Sequence, residues 1–165
     1  MAVVNTKSTH ISNADSSPIV ITNSYIASSR RVDAAATCEV AAADTDASVY
    51  RMVRVPSNCR FVTLEVLNDA ITAGTDYDLG VYDVADVGGE VVDADLFATA
   101  IDMSTARTLP LNALFEVLDI DNIEKPLWDL LGLSADPVKM YDICFTANTV
   151  GSAAGTLSMF AAWVL

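Results

Sequence analysis

Few side chains in this 165-residue chain have the type and spacing that chemistry needs. The sole histidine, His10, falls in a polar stretch rich in Ser, Thr and Asn, where no rigid scaffold would hold it in a triad. Cys38, Cys59 and Cys144 are odd in number, far apart and set in apolar or strand-like runs. With no neighbouring base or positive field to lower a thiol pKa, they read as packing residues of a reducing compartment, with no structural disulfide expected. The glycines of DVGGE and TVGSAAG lack the Gly-Lys-Ser/Thr of a phosphate loop and read as turn residues. Asp119, Asp121 and Glu124, and the set Asp76, Asp78 and Asp83, offer hard oxygens of the kind calcium takes. Neither set keeps the glycine and terminal glutamate offsets of a twelve-residue EF-hand loop, so solvated loop carboxylates are expected. Nothing selects a carboxylate pair for glycoside hydrolysis. The expectation is a non-enzymatic chain without catalytic, metal or cofactor sites.

The basic residues carry the one partner-binding signal. Five of the nine Lys and Arg fall between residues 30 and 60: Arg30, Arg31, Arg51, Arg54 and Arg60. Arg30, Arg31, Arg51 and Arg54 are the candidate contact residues, because a planar guanidinium binds carboxylates of a partner bidentately. Internal pairing with the abundant aspartates is the equally weighted alternative.

The elements that must position these groups are strands. From Tyr50 to Asp83, apolar runs of period near two are separated by PSN and NDAITAGTD turns. Alternation puts Val62, Leu64 and Val66 on one face and Phe61, Thr63, Glu65 and Leu67 on the other, and sets Tyr77, Leu79 and Val81 opposite Asp78 and Tyr82. Further strands are expected at Ile19 to Tyr25, through the alanine run 34–43, at Met140 to Asn148 and at Thr156 to Leu165, with Gly88 and Gly89 at a hairpin-like turn. Residues 93–118 suggest a helical turn and then a strand fragment. Asp119 to Gly132 reads as a short helix with Pro126 in its first turn, plugging one end of a sheet. The last two strands are expected to form a hairpin. The final strand is apolar on both faces and should sit centrally, a feature of sandwiches closed by their first and last strands. The fold class expected is all-β, a jelly-roll-like antiparallel sandwich over residues 19–165 with one short helical insertion, behind a flexible arm at 1–18.

Composition limits the partners. A formal net charge of −13 disfavours nucleic acid, whose binding rests on clustered Lys and Arg. The 52% hydrophobic content and mean hydropathy of +0.37 point to apolar surface facing a partner. No apolar run reaches the roughly 18 residues of a membrane helix, and the N-terminal residues lack the apolar core of a signal peptide, so no membrane partner or export is expected.

The phrases YRMVRVPSNCRFVTLEVLNDAITAGTDYDLGVYD, DADLFATAIDMSTA and YDICFTANTVGSAAGTLSMFAAWV resemble the capsid decoration (cement) proteins of tailed bacteriophages, over roughly residues 48–165. The resemblance implies a jelly-roll domain on the capsid exterior, assembled in the host cytoplasm, that clamps neighbouring major capsid protein subunits as a homo-dimer or homo-trimer. It brings no catalytic residues and no fixed contact motif. The alternative is a virion-surface receptor- or glycan-binding module, with Tyr77, Tyr82 and Trp128 as candidate platforms and Tyr82 expected to face outward.

Overall fold

The computed structural model describes residues 6–23, 27, 29–114 and 116–165. Its strands are β1 (Arg31–Val40), β2 (Ser48–Pro56), β3 (Arg60–Asn68), β4 (Asp76–Asp83), β5 (Val91–Ile101), β6 (Leu111–Asn112), β7 (Met140–Thr149) and β8 (Gly155–Val164). They form two four-stranded sheets, ordered β1-β8-β3-β6 and β2-β7-β4-β5, antiparallel throughout. First pairs with last, second with seventh, third with sixth and fourth with fifth. Rolling that ladder adds the β8–β3 and β7–β4 pairs. This is a jelly roll, as the sequence pattern predicts. The alanine run extends as β1, and β8 is central as expected.

The core fills the gap between the sheets. Tyr77, Tyr141, Phe61, Phe97, Phe145, Leu64 and Ile143 are fully buried, and Phe61 meets Phe97 edge to face with ring centroids 5.0 Å apart. The buried Tyr77 hydroxyl donates to the Val150 carbonyl at 2.7 Å, satisfying its polar end.

Several expectations are corrected. The last two strands lie in different sheets, so they are no hairpin; the 150–154 connection arches across the sandwich. Apolarity on both faces reports a central position for each of β7 and β8 and says nothing of which strands flank it. In β3 the register shifts between Phe61 and Thr63, so Phe61 points inward with Leu64 and Val66 while Val62 turns out. Residues 93–101 are strand, not helical turn. Their period is masked because Leu79 faces Ala98 whereas Val81 faces Asp93, so the residues between loop out of β5. Residues 19–23 join no sheet, and Tyr25, the end of that expected strand, lies outside the described residues. The helix of the 119–132 region is confined to α2 (Leu127–Leu130), because a proline disfavours helical backbone at the residue before it, here Lys125. Leu127 N–H donates to the Cys59 carbonyl and Trp128 N–H to the Ser57 carbonyl, so α2 closes one end of the sandwich. The N-terminal segment forms a helix, α1 (Thr9–Ala14), capped by the Ser8 hydroxyl and burying no residue.

The antiparallel order sorts the connections by end. Segments 41–47, 69–75, 102–110 and 150–154 meet at one end; 57–59, 84–90 and 113–139 meet at the other. At the first end, Asn68 Nδ2 reaches the carbonyls of Asp69 (2.6 Å), Met103 (3.0 Å) and Thr105 (3.1 Å) and tethers the 102–110 connection to β3. Asn68→Ala removes this tether, although the Met103 carbonyl keeps the Ile71 N–H at 3.0 Å, and is expected to cost about 1 kcal/mol. A lower urea midpoint with unchanged slope would register the loss.

Candidate partner-binding surface

Residues three apart on a strand face opposite ways, so Arg51 and Arg54 should not cooperate. They do, because β2 shifts register between Arg51 and Val53: Arg51 stands opposite Cys144 and Arg54 opposite Asp142. That bulge delivers both guanidiniums to the outer face of the β2-β7-β4-β5 sheet. Arg54 Nε donates to Asp142 Oδ1 at 2.7 Å and its Nη2 to Oδ2 at 3.2 Å. Arg51 Nη1 donates to Asp142 Oδ2 at 2.9 Å and to the Asp83 carbonyl at 2.8 Å, while Nη2 reaches the Gly89 carbonyl at 2.9 Å. The last two acceptors bracket the β4–β5 turn, where Gly88 (φ 108°) and Gly89 (φ 65°) hold the left-handed backbone that the expected turn requires.

Asp142 is only 4% exposed. Burial alone would push its carboxyl pKa up, but the hydrogen bonds from Arg54 and Arg51 win and hold it below the ordinary carboxylate range. Beside it, Lys139 Nζ donates to Asp83 Oδ1 at 2.6 Å and lies 4.7 Å from the Tyr141 ring centroid. The Asp83 hydrogen bond is the main reason the Lys139 pKa is raised. Arg51, Met52, Val53, Arg54, Ala85 and Asp142 line a shallow depression of about 400 Å³ on this face. Its charges are matched in place: Arg51 ties β2 to β7 and to the β4–β5 turn, and Arg54 leaves about half its side chain open to solvent.

Arg31 and Arg30 stand apart from this pair. Arg31 begins β1 in the other sheet, exposed and bonded to Asp33 Oδ1 at 2.9 Å. Arg30 is exposed, and its carbonyl accepts from Leu165 N–H at 3.2 Å. The four candidate arginines thus do not converge: Arg51 and Arg54 share one sheet, Arg31 opens β1 of the other, and Arg30 precedes it.

The other singled-out groups are locally engaged. Asn148 Nδ2 bonds Asp76 and Asp78, Asp83 holds Lys139, and Asp119 accepts from the Asp121 N–H. Among the described residues, no cluster of three or more His, Cys, Asp or Glu has the geometry of a metal site. His10 is exposed and shares a hydrogen bond with Thr22. All three cysteines are free thiols. Burial pushes the Cys59 thiol up and raises Cys144 to about 12, so both stay protonated and inert at neutral pH. Cys38 is half-buried, its Sγ 3.7 Å from the Arg51 carbonyl. Tyr77 and Tyr82 are buried, the latter with its hydroxyl on Thr146 Oγ1 at 2.6 Å, which corrects the expectation that Tyr82 faces out. Trp128 is half-buried in α2.

The strand pattern gave no sign of the end of the sandwich formed by 57–59, 84–90 and 113–139. Val87, Ile120, Ile123 and Val138 project there into solvent, with Ile120 91% and Val138 85% exposed. Beneath them, Ser57 Oγ bonds Asp136 Oδ1, and Ser57 N–H donates to the Lys139 carbonyl at 2.8 Å, so the loops that carry Val138 are tied to the β2–β3 turn. Isolated apolar residues in a loop resemble ordinary surface until topology brings them to one end.

No protein-family model matches the chain, and no curated protein matches it. Among solved structures it is similar to a chain of the cyanophage Pam1 capsid asymmetric unit, with 14% identity and a TM-score of 0.49 over 83% of this chain and 86% of that one. It is also similar to a chain of the acidic stable capsid structure of Helicobacter pylori bacteriophage KHP30, with 13% identity and a TM-score of 0.43 over 82% of this chain and 92% of that one.

Proposed function

We propose that this chain is a non-enzymatic structural component of a tailed-phage virion, decorating the capsid exterior and clamping neighbouring major capsid protein subunits. The observation that carries the reading is the set of exposed side chains Val87, Ile120, Ile123 and Val138 on the loops at one end of a jelly roll. Apolar side chains gathered at one end supply a contact area suited to another protein surface. The −13 charge keeps such a protein off the packaged genome. Many copies of a modest contact, repeated over a shell, add up to a large resistance to internal pressure. Among the described residues, the buried Cys59 and Cys144, the half-buried Cys38, the paired Arg51 and Arg54 and the exposed His10 offer no converged nucleophile and base. With Tyr77 and Tyr82 buried, the glycan-binding alternative loses two of its three aromatic platforms.

Co-sedimentation with shells of the matching phage assembled without this protein tests the reading. Wild-type protein is expected to bind stoichiometrically and to raise the shell melting temperature. Ile120→Asp with Val138→Asp should fold normally and lose binding, and deletion of residues 1–17 should leave the domain folded and weaken attachment. Wild-type protein that stays in the supernatant, or a double variant that binds undiminished, would overturn it.

A further inference from the structure

The two sheets present four edges, and three of them are blunted. β6 is two residues long, β2 is bulged and ends at Pro56, and β5 shifts register repeatedly. β1 differs: its ten residues pair with β8 without a single shift, and β8 is its only strand partner among the described residues. A long, unbroken edge presents a row of unpaired backbone donors and acceptors. Its inner row, Val32, Ala34, Ala36 and Cys38, is half-exposed, whereas the neighbouring row on β8, Leu157, Met159, Ala161 and Trp163, is buried. Apolar cover is therefore missing on the outer side of β1.

The side chains on the outer face specify what supplies it. In order they are Arg31, Asp33, Ala35, Thr37 and Glu39. Laid antiparallel against itself about a two-fold axis at Ala35, this strand brings Arg31 opposite the partner's Glu39 and Asp33 opposite the partner's Thr37. On the inner side, Val32 meets the partner's Cys38 and Ala34 meets the partner's Ala36. An axis one residue later sets Asp33 against the partner's Glu39. An axis two residues earlier sets Asp33 against the partner's Asp33. Like charges directly opposite are unfavourable, an axis at Ala34 leaves Arg31 opposite Thr37 and Asp33 opposite Ala35 with no charge matched, and an odd offset would turn the inner row outward, so the Ala35 register is favoured by its two Arg31–Glu39 pairs.

We propose that two copies of this chain pair through their β1 edges about a two-fold axis at Ala35, each Arg31 meeting the partner's Glu39, to make one continuous eight-stranded sheet. The contact is isologous and closes as a dimer. On forming it, Arg31 turns from its Asp33 contact and Glu39 from the Thr156 hydroxyl, both of which are exposed in the single chain. The pairing names the self-contact within the structural role proposed above; it does not require the shell-binding end of the sandwich, which lies on other loops.

Light scattering on the eluting full-length protein should give a dimer mass. Arg31→Glu and Glu39→Arg are each expected to weaken dimerisation about tenfold, as two opposed pairs turn from attractive to repulsive. The Arg31→Glu, Glu39→Arg double variant should restore it. In a Cys38→Ser background, Ala35→Cys should oxidise to a covalent dimer because the two sulfurs face one another across the axis. Thr37→Cys, displaced from the axis, should not. A monomer or trimer, a double variant no tighter than the singles, or equal cross-linking at 35 and 37 would overturn the pairing. Circular dichroism melts on each variant separate lost pairing from lost folding. Shell co-sedimentation separates the two proposals: a monomer that binds shells sinks the pairing alone, and a dimer that ignores them sinks the shell role alone.

Discussion

Asp142→Ala is expected to destabilise the domain by about 3 kcal/mol, since removing one partner of a buried ion pair leaves its opposite charge uncompensated. The carboxylate is the shared acceptor of Arg51 and Arg54, and the two losses differ. Arg54 is half-exposed and can rehydrate, whereas Arg51 is pinned between the Asp83 and Gly89 carbonyls and stays largely covered. Most of the cost therefore belongs to Arg51, and Arg54→Ala should cost far less than Asp142→Ala. Urea unfolding of the two variants measures this directly; equal losses would contradict the assignment. The same site predicts an acid limit. Because the folded carboxyl titrates below its unfolded value of about 3.9, its contribution is fully present above that pH and is lost as pH falls through the lower folded value. Asp142→Asn should flatten the stability profile in that window, and an unchanged profile would show that other carboxylates set the limit.

Gly80→Ala is expected to cost at least about 3 kcal/mol or to prevent folding, which no surface substitution would do. The backbone here is ordinary strand, so the requirement is one of space. The segment that loops out of β5 lies across β4, and a Cβ at this position would fall on the backbone of Asp93 and Ala94. Neither backbone can yield without opening the β4–β5 pair, the one pairing of consecutive strands among the described residues. Solubility and thermal melting decide the matter. A variant melting within about 3 °C of the wild type, a shift worth about 1 kcal/mol, would show that β5 can move aside.

Both positions show where the sequence stops being legible. Period-two alternation located β2, β3, β4, β7 and β8, because each buries a regular row of side chains. The two apolar faces of β8 placed it centrally and made the jelly roll the natural closure. What stayed hidden depends on bulges. A register shift at Met52 unites Arg51 with Arg54, another turns Val62 outward, and the irregular pairing of β5 erased its period altogether. No local pattern states which residue will be unpaired, since that choice belongs to two strands distant in sequence. The β7–β8 arch was missed for a related reason, as a five-residue connection serves a hairpin and a sheet-to-sheet crossing equally well. The engaged arginines follow the same rule: their partner Asp142 lies about ninety positions away.

The order of strands also governs when this chain can fold. β8, the eighth strand in sequence, lies inside its sheet between β1 and β3, with Arg31 of β1 opposite Val164. Until it leaves the ribosome, β1 has no neighbour at all and β3 only the two-residue β6. Most of the contacts therefore close long loops, which makes folding slow compared with a helical protein of this size. The nascent chain meanwhile exposes apolar strands without partners, the state most prone to aggregate. The high acidic charge has a second use there, keeping waiting chains apart until the final strand completes them.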